Sequence, residues 1–212
     1  MYKHSLSSKI SISKILSKII TVNLGRPQLN LAWFTALITI IGSICIQSYA
    51  VQAPDGTVAF ESAVLLVKSS TTFNGIRVRQ AIYYFDLELP NDVGESLQKV
   101  VFKQRTGGDK IKFRLDKTQS YLGDRHQKQE ELDIATFHDE TTGEITVIFD
   151  QPIPPGNRIT IGLKPKRNPD WAGVYLFGVT AFPTGKKSRG MYLGPGRLQF
   201  YDSFDNFDSF YR

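Results

Sequence analysis

From residue 58 onward apolar side chains recur at every second position rather than every third or fourth. Period two is the mark of a strand with one buried face. Phe85, Leu87 and Leu89 alternate with Tyr84, Asp86 and Glu88, and Ile111, Phe113 and Leu115 with Lys110, Lys112, Arg114 and Asp116. Ile145, Val147 and Phe149 form a third set; Ile159, Ile161 and Leu163 form a fourth, separated by Thr160 and flanked by Arg158 and Lys164. Each set predicts a half-buried strand with a wet outer face. Residues 174–182 (VYLFGVTAF) are apolar at both parities and predict a central strand, and residues 198–201 predict a closing one.

Turn-forming residues punctuate these runs. They include Pro90-Asn91-Asp92, Thr106-Gly107-Gly108-Asp109, Thr141-Thr142-Gly143, Pro154-Pro155-Gly156-Asn157, Pro183-Thr184-Gly185 and Gly194-Pro195-Gly196. Short strands separated by such turns predict an all-β fold, an antiparallel β-sandwich that is immunoglobulin-like in general architecture. Two segments read otherwise. Residues 91–97 suggest one capped helical turn, and residues 127–132 a polar loop. An outer-membrane barrel would also alternate, but it needs lipid-facing strands of about 9–11 residues. The runs here are mostly shorter and carry charge on their outer faces, so the sandwich is preferred.

The first fifty residues break the pattern. Residues 31–46 (LAWFTALITIIGSICI) are uncharged and almost wholly apolar, and are preceded by Lys3, Lys9, Lys14, Lys18 and Arg26 with no acid. A basic start, an apolar run and a small-residue site are the parts of a signal peptide, and positive charge stays on the cytoplasmic side. Ser48 and Ala50 occupy the two small-residue positions, which places cleavage between Ala50 and Val51. An uncleaved signal anchor competes with this reading, because the basic region is long. Residues 8–20 could form a basic amphipathic surface helix. Ile44 before Cys45 argues against a lipoprotein site. The expected organisation is a basic N-terminal region at 1–30, a hydrophobic signal or anchor helix at 31–50, the sandwich at 51–200 and an acidic-aromatic tail at 201–212.

Charge and cysteine sharpen this. Of the formal net charge of +6, +5 belongs to residues 1–50 and +1 to the remainder. The basic pI therefore gives no reason to expect a nucleic-acid partner. Cys45, the single cysteine, lies in the leader. A mature domain starting at Val51 would have no disulfide, thiol nucleophile or cysteine-based zinc site.

Residues 81–97 (AIYYFDLELPNDVGESL), 151–156 (QPIPPG) and 168–201 (NPDWAGVYLFGVTAFPTGKKSRGMYLGPGRLQFY) resemble a cyanobacterial family of secreted proteins known as a domain of unknown function. The resemblance spans about residues 60–201. It implies a cyanobacterial source and export, and brings no catalytic residues.

Candidate chemistry is sparse. There is no G-x-S-x-G elbow, and His126 and His138 sit in polar surroundings. His138-Asp139-Glu140 and Glu130, Glu131 and Asp133 group hard ligands without EF-hand spacing. No catalytic residue, metal ligand or cofactor is assigned. The loop Asn168-Pro169-Asp170-Trp171 is the candidate binding element, with Asn168, Asp170 and Trp171 as its residues and Trp171 as a platform for a sugar ring or partner. The competing role for Trp171 is to cover the end of the core. The tail repeats Asp-Ser/Asn-Phe three times from Asp202 to Phe210. The leading expectation is an exported, non-catalytic module of the periplasm or cell envelope. It would meet the export machinery through its leader and an envelope component or polysaccharide through its body. A carbohydrate-active hydrolase using paired carboxylates and a membrane-anchored periplasmic module are the alternatives.

Overall fold

The structure is a computed structural model and describes residues 56–202. The hydrophobic segment at 31–46, the Ala50–Val51 bond and the tail beyond Asp202 lie outside the described residues. The described residues form strands β1 (Leu65–Thr71), β2 (Tyr83–Glu88), β3 (Leu97–Thr106), β4 (Gln119–Gly123), β5 (Lys128–Glu131), β6 (Ile134–Asp139), β7 (Glu144–Ile153), β8 (Arg158–Leu163), β9 (Gly173–Pro183) and β10 (Met191–Phe200). They build two five-stranded sheets, in the orders β1-β2-β8-β4-β5 and β10-β9-β3-β7-β6. Every strand pairing is antiparallel. The chain is therefore an antiparallel β-sandwich, immunoglobulin-like in general architecture, and no α-helix occurs among the described residues.

The inward parity of each strand makes the core. Phe85, Ile159 and Ile161 from one sheet meet Phe102, Val147 and Phe177 from the other, all almost fully buried. Phe85 stands 4.7 Å from Phe102, and Phe177 lies about equally far from Tyr83 (6.2 Å), Phe85 (6.0 Å) and Phe113 (6.0 Å). Tilted and edge-on rings of this kind gain about 0.5–1.5 kcal/mol beyond their area burial. β9 lies inside its sheet between β10 and β3, as its doubly apolar sequence predicts.

Four local expectations differ from the structure. Ile111, Phe113 and Leu115 pack against the core but lie outside the sheets. This stretch has a single bridge, Phe113 to Pro165, followed by a 3-10 turn at Leu115–Lys117. Two backbone hydrogen bonds, Arg114 N–H to Lys164 O (2.8 Å) and Lys166 N–H to Lys112 O (2.7 Å), hold it in place. Residues 128–131, read as loop, form β5, because a tight turn returns the chain onto β4. Residues 91–97 hold a turn and the start of β3 rather than a helical turn.

The fourth difference concerns the outer face of the first sheet. Tyr84, Asp86 and Thr160 are buried there instead of wet, and Tyr121 of β4 is buried beside them. Arg125 lies over the Tyr84 ring at 5.0 Å and Lys128 over Tyr121 at 4.5 Å, so the β4–β5 turn and the first residue of β5 roof this face with the stems of their cations. Thr160 Oγ1 stands 2.8 Å from both Asp86 Oδ1 and the Gly123 carbonyl, and its single proton serves one acceptor at a time.

Candidate functional site

The segments joining β1 to β2, β3 to β4 and β8 to β9 hold one another by hydrogen bonds, and the loop Asn168-Pro169-Asp170-Trp171 lies among them. Asn168 is buried, 1% exposed. Its Oδ1 accepts from the Tyr83 hydroxyl (2.9 Å), and its Nδ2 donates to the carbonyls of Phe73 (2.9 Å) and Gly75 (2.7 Å). Its backbone N–H donates to Val78 O at 2.7 Å. The asparagine thus ties three segments together, and its amide faces protein rather than solvent. Burial, with Tyr175 and Asp109 nearby, raises the Tyr83 phenol well above the usual tyrosine value.

Asp170 is a surface residue with a fixed orientation. Its carboxylate meets Arg77 Nε at 3.3 Å and Arg167 Nη2 at 2.7 Å, and its N–H donates to Asp109 Oδ2 at 3.0 Å. Exposed ion pairs of this kind add little to stability, but they fix the geometry of the loop. The Tyr175 hydroxyl donates to Asp109 Oδ1 at 2.5 Å and lies 3.0 Å from the Trp171 carbonyl. Burial, then the bond to Asp109, pushes the Tyr175 phenol up to about 12. Gly107, with φ +145°, and Gly108 let the β3–β4 turn approach closely; a Cβ on Gly108 would stand 3.1 Å from that of Trp171.

On this fixed loop the Trp171 side chain points outward and is 65% exposed. Phe73 (50%) and Tyr201 (38%) are exposed on segments bonded to the same group, through Asn168 and through Tyr201 N–H to Asn74 O (2.8 Å). The arrangement presents aromatic surface on a rigid base flanked by Arg77, Arg167 and Asp170. Such a surface can stack a planar or sugar-like ring and hydrogen-bond its polar groups. Asp109 and Tyr175, which hold it, are not among the site residues that the sequence points to. The aspartate closing the Gly107-Gly108-Asp109 turn was the available signal.

The remaining candidates fall elsewhere. His126 is exposed in the β4–β5 turn, and His138 is exposed on β6, in the other sheet. The Asp139 carboxylate accepts the N–H groups of Thr142 (3.2 Å) and Thr141 (2.8 Å), which hold its pKa below the usual carboxylate range. Asp124 is lowered in the same way by the N–H groups of His126 and Gln127. No group of three metal-ligating side chains occurs among the described residues. Neither of two surface depressions among the described residues holds paired carboxylates. One of about 250 Å³ contains Glu88 as its single acid, and one of about 410 Å³ contains none.

Fold and site together define an all-β sandwich with a braced aromatic loop. The family model described as "Protein of unknown function (DUF2808)" matches residues 57–200, and the chain belongs to that family. No curated protein matches the chain. Among solved structures, the collagen-binding subdomain of the Enterococcus faecalis surface protein ACE aligns at 5% identity over 62% of this chain and 94% of its own, with a TM-score of 0.38. The collagen-binding domain of a Staphylococcus aureus adhesin aligns at 13% identity over 57% and 87%, TM-score 0.31. A cohesin module of a Clostridium perfringens family 33 glycoside hydrolase aligns at 14% identity over 66% and 99%, TM-score 0.36. At such scores the alignments carry no functional weight. No helix among the described residues is long and apolar enough to cross a membrane.

Proposed function

We propose that the chain is an exported, non-catalytic binding module of the cell envelope or periplasm, which takes a polysaccharide or another envelope component on Trp171. The observation that carries this reading is an indole 65% exposed on a loop whose backbone is held by buried Asn168 and by the Asp109–Tyr175 pair. Exposed aromatic area is unfavourable in water, while a fixed platform loses little conformational entropy when a ligand arrives. Asp170 and its arginines supply polar contacts at the rim. Export is supported by the basic, acid-free start, the apolar run at 31–46 and the small residues ending at Ala50. The resemblance to secreted cyanobacterial proteins agrees with it and suggests the source.

Titrating the full-length chain with soluble envelope polysaccharides, followed by calorimetry, tests the platform. Binding that falls about tenfold or more in Trp171→Ala is expected, which corresponds to about 1.4 kcal/mol. Turnover of a substrate in a broad hydrolase screen, lost in His126→Ala or His138→Ala, would overturn the non-catalytic reading. Intact mass of the native protein is expected to begin at Val51. A membrane-bound species beginning at Met1 would replace cleavage with anchoring.

A further inference from the structure

Along one flank of the sandwich the edge strand of one sheet faces the edge strand of the other. Each of β1 and β10 has a single neighbour in its sheet among the described residues. The two edges are joined directly: Ser69 Oγ donates to the Arg197 carbonyl at 3.0 Å. Above this floor runs the open groove of about 410 Å³. Hydroxyl residues 69–72 line one wall, Arg197, Gln199 and Tyr201 the other, and Asn74 also lines it. Arg197 Nη2 donates to Gln199 Oε1 at 2.8 Å, and its remaining N–H groups meet no carboxylate in an ion pair among the described residues. One cation and no anion line the groove.

Two open edges suggest an added peptide strand, but the geometry disfavours one. A strand inserted between them needs about 4.8 Å on each side, whereas a single side-chain hydrogen bond already spans the gap. The register of β1 breaks between Leu66 and Lys68 and that of β10 between Tyr192 and Gly194, and Pro195 offers no N–H. A ligand here is therefore recognised by side chains. Hydroxyls and amides match the hydroxyls of a sugar, the exposed Tyr201 ring matches the C–H face of a pyranose, and an arginine fork without an acidic partner matches a carboxylate.

We propose that the groove between β1 and β10 binds an acidic polysaccharide, with the carboxylate of a uronic acid unit on Arg197. The proposal rests on the reading of the domain as an envelope-binding module, and it assigns a ligand class to residues other than those of the Trp171 loop. The test is calorimetric titration of the full-length chain with a galacturonic acid hexamer, and with maltohexaose as the neutral probe. The acidic hexamer is expected to bind, and Arg197→Gln to weaken it by about tenfold or more, the scale of a charge-assisted hydrogen bond. Tyr201→Ala weakens it several-fold. Arg105→Gln leaves it unchanged, because Arg105 lies over the Tyr192 ring outside the groove and controls for net charge. Absence of binding by the acidic hexamer, or equal loss in Arg197→Gln and Arg105→Gln, overturns the proposal. Binding of the acidic hexamer that is abolished by Trp171→Ala and untouched by Arg197→Gln would overturn the groove while leaving the envelope-binding reading intact.

Discussion

Asn168 and Trp171 belong to one short loop and play opposite parts. Asn168→Ala leaves the buried Tyr83 hydroxyl and the Phe73 and Gly75 carbonyls without their partner. Each orphaned buried group costs about 1–3 kcal/mol, so a loss of about 3 kcal/mol or more is expected, read as a lower urea midpoint at unchanged slope. Trp171→Ala, at an exposed position, should shift stability by no more than about 0.5 kcal/mol. If the tryptophan variant were the more destabilised, the indole would be a lid on the core instead of a platform. The sequence made the loop legible as a turn with an aromatic, but not the inward rotation of Asn168. The carbonyls that orient its amide lie 93 and 95 positions away along the chain, and local composition carries no trace of them.

Tyr175 gives the same scale a pH dependence. Its folded-state pKa is raised to about 12 from the usual value of 10.0, by burial first and then by Asp109. Between those values the folded chain holds a proton that the unfolded chain releases. The contribution is therefore complete below about pH 10 and is lost as pH rises toward about 12. Tyr121, raised to about 12 by burial, and Tyr83 act in the same direction. Urea midpoints measured at about pH 8 and about pH 11 should fall, and Tyr175→Phe should shrink that fall. A slope identical in the variant would remove Tyr175 from the alkaline transition.

Whole strands were the most legible level, because burial of one parity writes itself into the sequence with period two. β2, β7 and β8 lie where the alternating sets place them. The stretch Ile111, Phe113 and Leu115 shows the limit of the signal. Alternation reports which side chains face the core, and an extended segment can satisfy that without joining a sheet. The buried outer face at Tyr84 and Asp86 shows the converse, since a polar parity is covered when a distant turn brings Arg125 over it. Packing between elements sets the next prediction. Gly196 lies where β10 crosses β2, and a Cβ there would stand 2.6 Å from Phe85 Cε1. Gly196→Ala should cost about 1–3 kcal/mol by forcing the strands apart. Phe177→Ala, which removes the ring shared by three aromatic neighbours, should cost about 3–5 kcal/mol. Calorimetric melting of both variants checks the order; a harmless Gly196→Ala would mean that Phe85 swings aside freely.

At the scale of the whole molecule, the pairings that close the sandwich join distant parts of the chain. β3 lies between β7 and β9, with Val100 opposite both Val147 and Ala181, and β2 lies between β1 and β8. Neither sheet can be completed by sequential hairpins alone, so loop closure precedes much of the stabilising contact. Folding dominated by such pairings takes milliseconds to seconds. No covalent link shortens the search, because residues 56–202 contain no cysteine and Cys45 precedes them. Refolding of the full-length chain on dilution from urea, followed by circular dichroism, should therefore show a main phase between about 1 ms and about 1 s. The rate should be the same with and without a thiol reductant. A main phase in the microsecond range would mean that local contacts carry the transition state. A dependence on reductant would mean that Cys45, which precedes the described residues in the sequence, links chains and limits refolding.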